Sequence, residues 1–317
     1  MFTAVMAAAC MSIPIGAHAD AYPSQSVRII VGQAPGGATD VVARLIAARM
    51  TQTLGQGVVV ENRTGNAGSI AADYVAKSRP DGYTLLVVSS SFAINPALSA
   101  LPFDAQKDLA PVTLLAEAPF VLVVNPSFPA GSLPELLKLA DAKPGTLTYG
   151  SGGHGSSGHL AGALLEQLSG RHFIHVPYRG AGPALTDVMG GHIDFLFASV
   201  LSSSQAVKHG QLKALAVTSA KRSSALPNVP TVAEAGVTGY SATTWYAILA
   251  PAGTPAAIID RVAAAAKSAV DAPNVRTILR DDGAEPVGST PAEFKVYLAA
   301  QIAKWSALVK QIGIKGD

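Results

Sequence analysis

Short apolar runs alternate with longer amphipathic segments along the first third of the chain. Residues 27–31, 58–62 and 83–88 are runs of strand length, rich in valine, leucine and isoleucine. Residues 41–50 and 69–77 instead repeat apolar side chains every three to four positions, as a helix with one buried face does. This alternation predicts a βαβαβ unit with a parallel sheet and right-handed crossovers.

A second alternation of the same kind follows and predicts a second α/β lobe, with strands at 173–176, 193–197 and 213–217 and helices that begin near 183 and 203. Further strands are expected at 112–115, 120–124 and 244–250, and further helices are expected to begin near 132, 254 and 290. Strands near 120 and 244 flank the second lobe, which is therefore inserted into the first. We predict lobe 1 from 20–124 and 244–317, lobe 2 from 125–243, and a two-strand hinge beside a cleft.

A glycine-rich segment, TLTYGSGGHGSSGHLAG at 146–162, joins an expected strand to an expected helix. A turn in this position leaves the first backbone N–H groups of the helix unpaired and aimed at one point, which is an arrangement that binds anions. Glycines let the backbone approach a ligand, and serine hydroxyls add donors. We therefore expect this loop to hold a carboxylate. The expected contacts are Ser151, Gly152, Gly155, Ser156 and Ser157.

The first strand runs into a similar turn with the sequence GQAPGGATD. Gly36 and Gly37 offer backbone amides that a ligand can approach, and Gln33 and Ala34 precede them in the same turn. Asp40 is expected either to cap the following helix or to contact the ligand. Because its carboxylate would repel an anion, the turn is expected to touch its ligand through amides or water.

Polar residues also stand at the carboxyl ends of three other expected strands. Ser90 follows the strand at 83–88, Tyr178, Arg179 and Gly180 follow the next, and Ser199 follows a third. Open α/β sheets bind ligands outside the carboxyl ends of their strands. These residues are therefore expected to face the same crevice as the two glycine-rich turns.

Composition and charge exclude two functional classes. With 317 residues the chain is long enough for two domains with cores of their own. Hydrophobic residues make up 49%, charged residues 14%, and the net charge is +2. This balance argues against a nucleic-acid-binding surface, which needs a basic stripe, and against disorder.

Residues 1–19 are typical of a secretory signal peptide, because an apolar stretch precedes the A-x-A motif AHA. They lack the usual positive start, since the first Lys or Arg is Arg28. The single cysteine, Cys10, lies in this segment. A mature chain that starts at Asp20 would have no disulfide and no thiol chemistry. We therefore expect an exported protein.

An enzyme is the alternative that the glycine-rich loop leaves open. Residues 153–158, GHGSSG, fit the dinucleotide pattern G-x-G-x-x-G, in which an acidic residue about twenty positions on binds the ribose. The following strand ends in Arg179 instead, so NAD or NADP binding is the minority interpretation. No G-x-S-x-G elbow is present in the loop, which argues against a serine hydrolase. A packing turn without a ligand is a further alternative, although it would need fewer glycines.

Histidines near the loop are the candidates for a catalytic base or a metal site. His154 and His159 are the best candidates for a base, and a structural role for His159 is favoured. The spacings His154/His159 and His172/His175 lack a third, acidic ligand, so no metal site is expected.

Several motifs along the chain resemble those of one family, the Bordetella uptake gene (Bug) proteins, which are solute-binding components of tripartite tricarboxylate transporters. The matching motifs are Pro35-Gly36-Gly37-x-x-Asp40, Val60-Glu61-Asn62-Arg63, Pro80-Asp81-Gly82-Tyr83-Thr84-Leu85, Tyr149-Gly150-Ser151-Gly152-Gly153-x-Gly155-Ser156-x-x-His159-Leu160, Val176-Pro177-Tyr178-x-Gly180, Leu226-Pro227-x-Val229-Pro230-Thr231 and Leu249-Ala250-Pro251-x-Gly253-Thr254-Pro255.

The resemblance implies a type II periplasmic-binding (Venus flytrap) fold that closes over a small carboxylate. It implies that the Pro-Gly-Gly turn contacts one end of the ligand, partly through water, and that residues 151–157 grip a carboxylate. Gln33 stands where the family commonly has an aromatic or apolar residue, and Arg179 stands where it usually has lysine. Both departures bear on the distal end of the ligand.

The function expected from the sequence is therefore periplasmic capture of a di- or tricarboxylate, an acidic amino acid or an aromatic acid. The expected partner is a two-component membrane permease, and the expected protein is a monomer without cofactor or catalysis. A sensor partner with the same ligand chemistry is the alternative. An NAD(P)-dependent enzyme that uses Gly153, Gly155 and Gly158 is the more distant one.

Overall fold

The computed structural model describes residues 22–281 and 283–312, so the predicted leader 1–19 lies outside the described residues. The strands are β1 (Val27–Val31), β2 (Val58–Asn62), β3 (Thr84–Ser89), β4 (Leu109–Val124), β5 (Thr148–Ser151), β6 (Ile174–Pro177), β7 (Phe195–Ser199), β8 (Lys213–Val217), β9 (Thr243–Pro251) and β10 (Glu285–Pro286). The α-helices are α1 (Ala38–Leu54), α2 (Ser69–Ala76), α3 (Ser91–Leu98), α4 (Leu133–Ala142), α5 (Ser157–Ser169), α6 (Ala181–Gly190), α7 (Val200–Lys208), α8 (Ala256–Asp271), α9 (Pro273–Asp281) and α10 (Pro291–Ile312).

The first lobe is built on a mixed sheet whose parallel half is the predicted βαβαβ unit. β1 lies between β2 and β3 and is parallel to both. β9 adds to β3 in the antiparallel direction, and β4 adds to β9. Four of the five β1 side chains are buried, since α1, α8 and α9 cover one face of the sheet and α2, α3 and α10 cover the other. The parallel unit predicted from the apolar runs is thus confirmed.

The long strand β4 passes from the first sheet into the second. Its residues 109–119 pair with β9, and its residues 120–124 pair with β7. The sequence analysis predicted two separate strands here, because Glu117 and Pro119 interrupt the apolar pattern. The structure shows that the backbone stays extended through both residues, and the register against β9 shifts at two points instead.

The second lobe surrounds the continuation of β4. β5 is parallel to β6 and to β7, while β7 and β8 both pair with β4 in the antiparallel direction. Helices α4 and α5 pack on one face of this sheet, and α6 and α7 pack on the other. Residues 120–124 pair within the second sheet, although the predicted boundary assigns them to lobe 1. The division into 20–124 with 244–317 and 125–243 stays a prediction.

Side chains cap two of the helices that were predicted to begin near residues 132 and 290. Ser132 Oγ accepts the backbone N–H of Glu135 at the start of α4, and Thr290 and Glu293 exchange hydrogen bonds at the start of α10. Phe294, Leu298, Ile302 and Trp305 of α10 are buried, as the spacing of its apolar residues predicts.

Helices α3 and α9 were not predicted from the sequence. α3 begins at the last of three consecutive serines, which are typical of a loop, and contains Pro96. α9 begins two residues after α8 ends and is short. Among residues 22–281 and 283–312, no helix has both the length and the apolar character that a membrane span requires.

Candidate functional site

A cavity of about 370 Å³ lies between the two lobes at the carboxyl ends of β1, β3, β5, β6 and β7. Two glycine-rich turns, one from each lobe, face it, together with polar and aromatic side chains of β4, β7 and β9. The lining residues are Gly32, Gln33, Gly37, Ala38, Thr39, Gly65, Asn66, Ala67, Ser89, Ser91, Phe120, Gly152, Gly153, His154, Ser156, Ser157, Gly158, Pro177, Tyr178, Arg179, Gly180, Ala181, Leu196, Phe197, Ser199, Thr244 and Tyr246.

Most of the predicted ligand-binding residues lie in this lining, and the others lie behind it. Those that line the cavity are Gln33, Gly37, Gly152, Ser156, Ser157, Tyr178, Arg179, Gly180 and Ser199. Those outside the lining are Ala34, Gly36, Asp40, Ser90, Ser151 and Gly155. Whether each one contacts a ligand stays a prediction.

Asp40 fixes the shape of the first-lobe turn from within. Its carboxylate is buried and accepts hydrogen bonds from the Gly36 amide (3.0 Å), Arg44 Nε (2.9 Å) and Asn62 Nδ2 (2.8 Å). Burial alone would raise the pKa of Asp40, but the bonds from Arg44, Gly36 and Asn62 outweigh it and hold the pKa below its usual range. The N-cap of α1 is Gly37, not Thr39 or Asp40. The Gly36 amide therefore points at Asp40 rather than into the cavity.

The second-lobe turn begins α5, and its serines have protein partners as well as a face on the cavity. Ser156 is the N-cap of α5, and its Oγ accepts the N–H of His159 at 3.3 Å. Ser157 Oγ lies 2.5 Å from Ser90 Oγ across the cleft. Gly158 also lines the cavity, and its N–H is one of the first-turn amides that a helix cannot satisfy internally.

The turn after β6 meets the first-lobe turn directly. Gly180 has φ +117°, and a Cβ built on it would lie 3.0 Å from both Cβ and N of Ala34. A larger residue would therefore force the lobes apart at this point. Ala34 therefore packs against Gly180 of the other lobe, and it lies beside the cavity lining rather than in it.

Arg179 gives the lining its fixed positive charge. The lining contains no Asp or Glu side chain. Arg179 is exposed at the cavity, and within the described part of the chain no carboxylate pairs with it. Its neighbour Tyr178 directs its hydroxyl to Asp187 Oδ2 at 2.6 Å, and burial together with this bond raises the pKa of Tyr178 to about 12. The phenol ring of Tyr178 is therefore a neutral wall of the cavity.

The sequence analysis missed several lining residues. Thr244 and Tyr246 lie on β9, which was predicted only as a strand, and Tyr246 bonds Ser199 Oγ at 3.0 Å. Ser91 opens the helix α3, which was not predicted. The signal for Ser91 was available in the run of three serines after β3.

Three histidines that lie apart in the sequence are close together in the structure. His154 and His159 flank the start of α5, and His175 comes from β6. One ring nitrogen from each lies within 4.8 Å of the others. No metal was expected because each pair lacked a third acidic ligand, whereas the third member present here is another histidine.

Comparison with known proteins assigns the chain to a family. The sequence model of the tripartite tricarboxylate transporter family receptors matches residues 42–314. The chain belongs to this receptor family. Among the curated relatives of the receptor, BugT of Bordetella pertussis is 36% identical over 313 residues, which cover 98% of this chain and 95% of BugT. The predicted resemblance to the Bug proteins is therefore confirmed.

Solved structures of related receptors support the fold in the same way. The periplasmic binding protein BugD has a TM-score of 0.90 at 31% identity, covering 93% of this chain and 100% of its own. Rpa4515 of Rhodopseudomonas palustris, solved with adipate, has a TM-score of 0.90 at 36% identity and the same coverage. MatC from that organism, solved with bound malate, has a TM-score of 0.85 at 34% identity, covering 91% and 100%. The periplasmic-binding α/β fold with two lobes is confirmed.

Proposed function

We propose that this receptor captures a small dicarboxylate in the periplasm and delivers it to a two-component membrane permease. The observation that carries the proposal is the lining of the cavity. It combines an unpaired arginine, Arg179, with two glycine-rich turns and no acidic side chain. One carboxylate would accept bonds from amides and hydroxyls at the start of α5, and the other would meet Arg179.

The size and surface of the cavity fit a ligand of this class. A volume of about 370 Å³ lies at the small end of the range for ligand pockets. Phe120, Phe197 and Tyr246 supply an apolar wall against which a short carbon chain can pack. Adipate and malate, with which two related receptors were solved, are both dicarboxylates.

Ligand capture by closure of the lobes follows from the contacts across the cleft. The pairs Ser90–Ser157 and Ala34–Gly180 join residues of different lobes at the edge of the cavity. A ligand that touches both lobes binds the closed form better than the open form and so shifts the population toward it. The closed form is then the one that a permease recognises.

We also propose that the receptor acts as a monomer, without a cofactor and without catalytic activity. This proposal is supported by the family, which consists of receptors. Of three related structures, one is described as a binding protein and two were solved with a carboxylic acid.

A thermal-shift screen followed by calorimetry tests the proposal. Ligand binding raises the apparent melting temperature by mass action. We expect adipate, malate or a dicarboxylate of similar length to raise it and to bind with one site per chain, whereas hexanoate, which matches adipate with one carboxylate fewer, should bind more weakly. A screen in which no organic acid shifts the melting temperature would overturn the proposal.

A further inference from the structure

Three imidazole rings form a compact cluster on the second lobe, beside the cavity. The rings of His159 and His175 are stacked, with centroids 4.0 Å apart and planes 6° apart. The ring of His154 stands edge-on to both, at 5.6 Å and 5.1 Å. His154 also lines the cavity and is exposed, so the cluster opens onto the cleft at that ring.

Hydrogen bonds fix the orientation of His175. Its Nε2 lies 2.6 Å from Ser151 Oγ, and the hydroxyl of Ser151 donates to the Gly153 carbonyl at 3.0 Å. In the tautomer that keeps the bond from Ser151 to Gly153, Nε2–H of His175 donates to Ser151 Oγ and Nδ1 carries the lone pair. A metal-binding histidine typically has this arrangement, in which the second ring nitrogen donates to an outer partner.

His159 is the ligand with a competitor. Its Nδ1 accepts the N–H of Gly155 at 3.1 Å, so an ion that used this nitrogen would have to displace the amide. This competition is expected to lower the contribution of His159 to the affinity.

We propose that His154, His159 and His175 bind one divalent transition-metal ion of the zinc class. Imidazole ligands suit Zn²⁺, Ni²⁺ and Cu²⁺, whereas Mg²⁺ and Ca²⁺ prefer oxygen. Tetrahedral Zn²⁺ with Zn–N bonds of about 2.0–2.1 Å needs its nitrogens about 3.3 Å apart. The nitrogens here lie within 4.8 Å of one another, so the rings must move closer together to bind an ion. The stacked rings of His159 and His175 must also tilt, because a ring nitrogen binds a metal in the plane of its own ring. The fourth ligand position would then face the cavity.

Calorimetric titration of the untagged protein with zinc chloride alone tests the site. We expect one ion per chain and at least tenfold weaker binding in the His154→Ala variant. His172→Ala is the matched control, because His172 lies three positions before His175 but is 91% exposed and outside the cluster. That variant should bind zinc as the parent does, and magnesium chloride should give no binding.

A spectroscopic readout keeps the test valid if a buried variant folds poorly. Tetrahedral Co²⁺ bound to nitrogen ligands gives intense visible bands, which we expect in the parent protein and not in His154→Ala or His175→Gln. Absence of zinc binding in the parent, or equal zinc affinity in the parent and in His154→Ala, would overturn the proposal. Because no organic acid is present, this outcome is independent of the carboxylate-binding function.

Discussion

The hydroxyl of Ser157, in the first turn of α5, lies 2.5 Å from the hydroxyl of Ser90, which directly follows β3. The bond joins the two lobes at the cavity. Ser90 also bonds Thr244 Oγ1 at 2.9 Å, and all three side chains are buried. The contact between the lobes therefore includes hydroxyl groups that water would solvate if the cleft were open.

Ser157→Ala should weaken ligand binding about two- to tenfold. The variant removes the bond to Ser90, and a neutral hydrogen bond contributes about 0.5–1.5 kcal/mol. Calorimetry with the best acid from the screen measures the effect. Ser202→Ala is the control. The hydroxyl of Ser202, on α7, donates to the Ser199 carbonyl, and Ser202 does not line the cavity. Equal affinities in parent and Ser157→Ala would contradict the role of this bond in closure.

Arg179→Gln should lower the affinity for a dicarboxylate by tenfold or more and change the affinity for a matched monocarboxylate little. A hydrogen bond to a charged group contributes about 1.5–3 kcal/mol, and only the dicarboxylate supplies the second charge. Titrations with adipate and hexanoate make the comparison. Arg79→Gln, which removes an arginine that is 92% exposed and far from the lining, controls for net charge. A similar loss for both acids would place the second carboxylate elsewhere.

Gly180→Ala should reduce ligand affinity by hindering closure. The added Cβ would approach Ala34 to 3.0 Å, so the lobes must separate to admit it. Gly210→Ala is the matched control, because Gly210 also has positive φ (+71°) but its Cβ would meet no atom within 4 Å. Both variants should lose some stability to backbone strain, whereas only Gly180→Ala should keep a larger radius of gyration in small-angle scattering when ligand is added. Normal compaction of that variant would count against this contact.

Asp40→Asn should destabilise the protein at neutral pH and matter progressively less in acid. The folded-state pKa of Asp40 lies below its unfolded value of about 3.9, so its stabilisation is fully present above that value. It is lost as the pH falls through the folded-state pKa. Urea unfolding at pH 7 should show a loss of about 1–3 kcal/mol, as expected for hydrogen bonds to a charged group. The difference from the parent should shrink at pH 3, and a difference that stayed constant would refute the mechanism.

The periodicity of apolar residues predicted most strands and helices, and the polar residues at strand ends predicted much of the cavity lining. The runs that became β1 and β3 are apolar because helices cover both faces of their sheet, so the pattern is strong. Continuity of β4 through Glu117 and Pro119 had no such signal. It depends on pairing with β9, which lies more than 100 residues further along the chain.

Side-chain partners were the least predictable part of the site. Asp40 was expected to cap α1 or to contact the ligand, whereas its carboxylate accepts a hydrogen bond from Asn62 of the next strand. The histidine cluster was missed for the same reason, since His175 reaches His159 only because β6 lies beside β5 in the sheet. Local spacing cannot report contacts that depend on strand order.

The shared strand β4 has a mechanical consequence for the clamshell. Between Pro119 and Phe120 it exchanges β9 for β7 as its neighbour, so both sheets grip the same stretch of backbone. In the proposed closure, rotation of one lobe would twist that strand about its own axis. The opening angle would then be coupled to torsion in an extended strand rather than to the movement of a flexible linker.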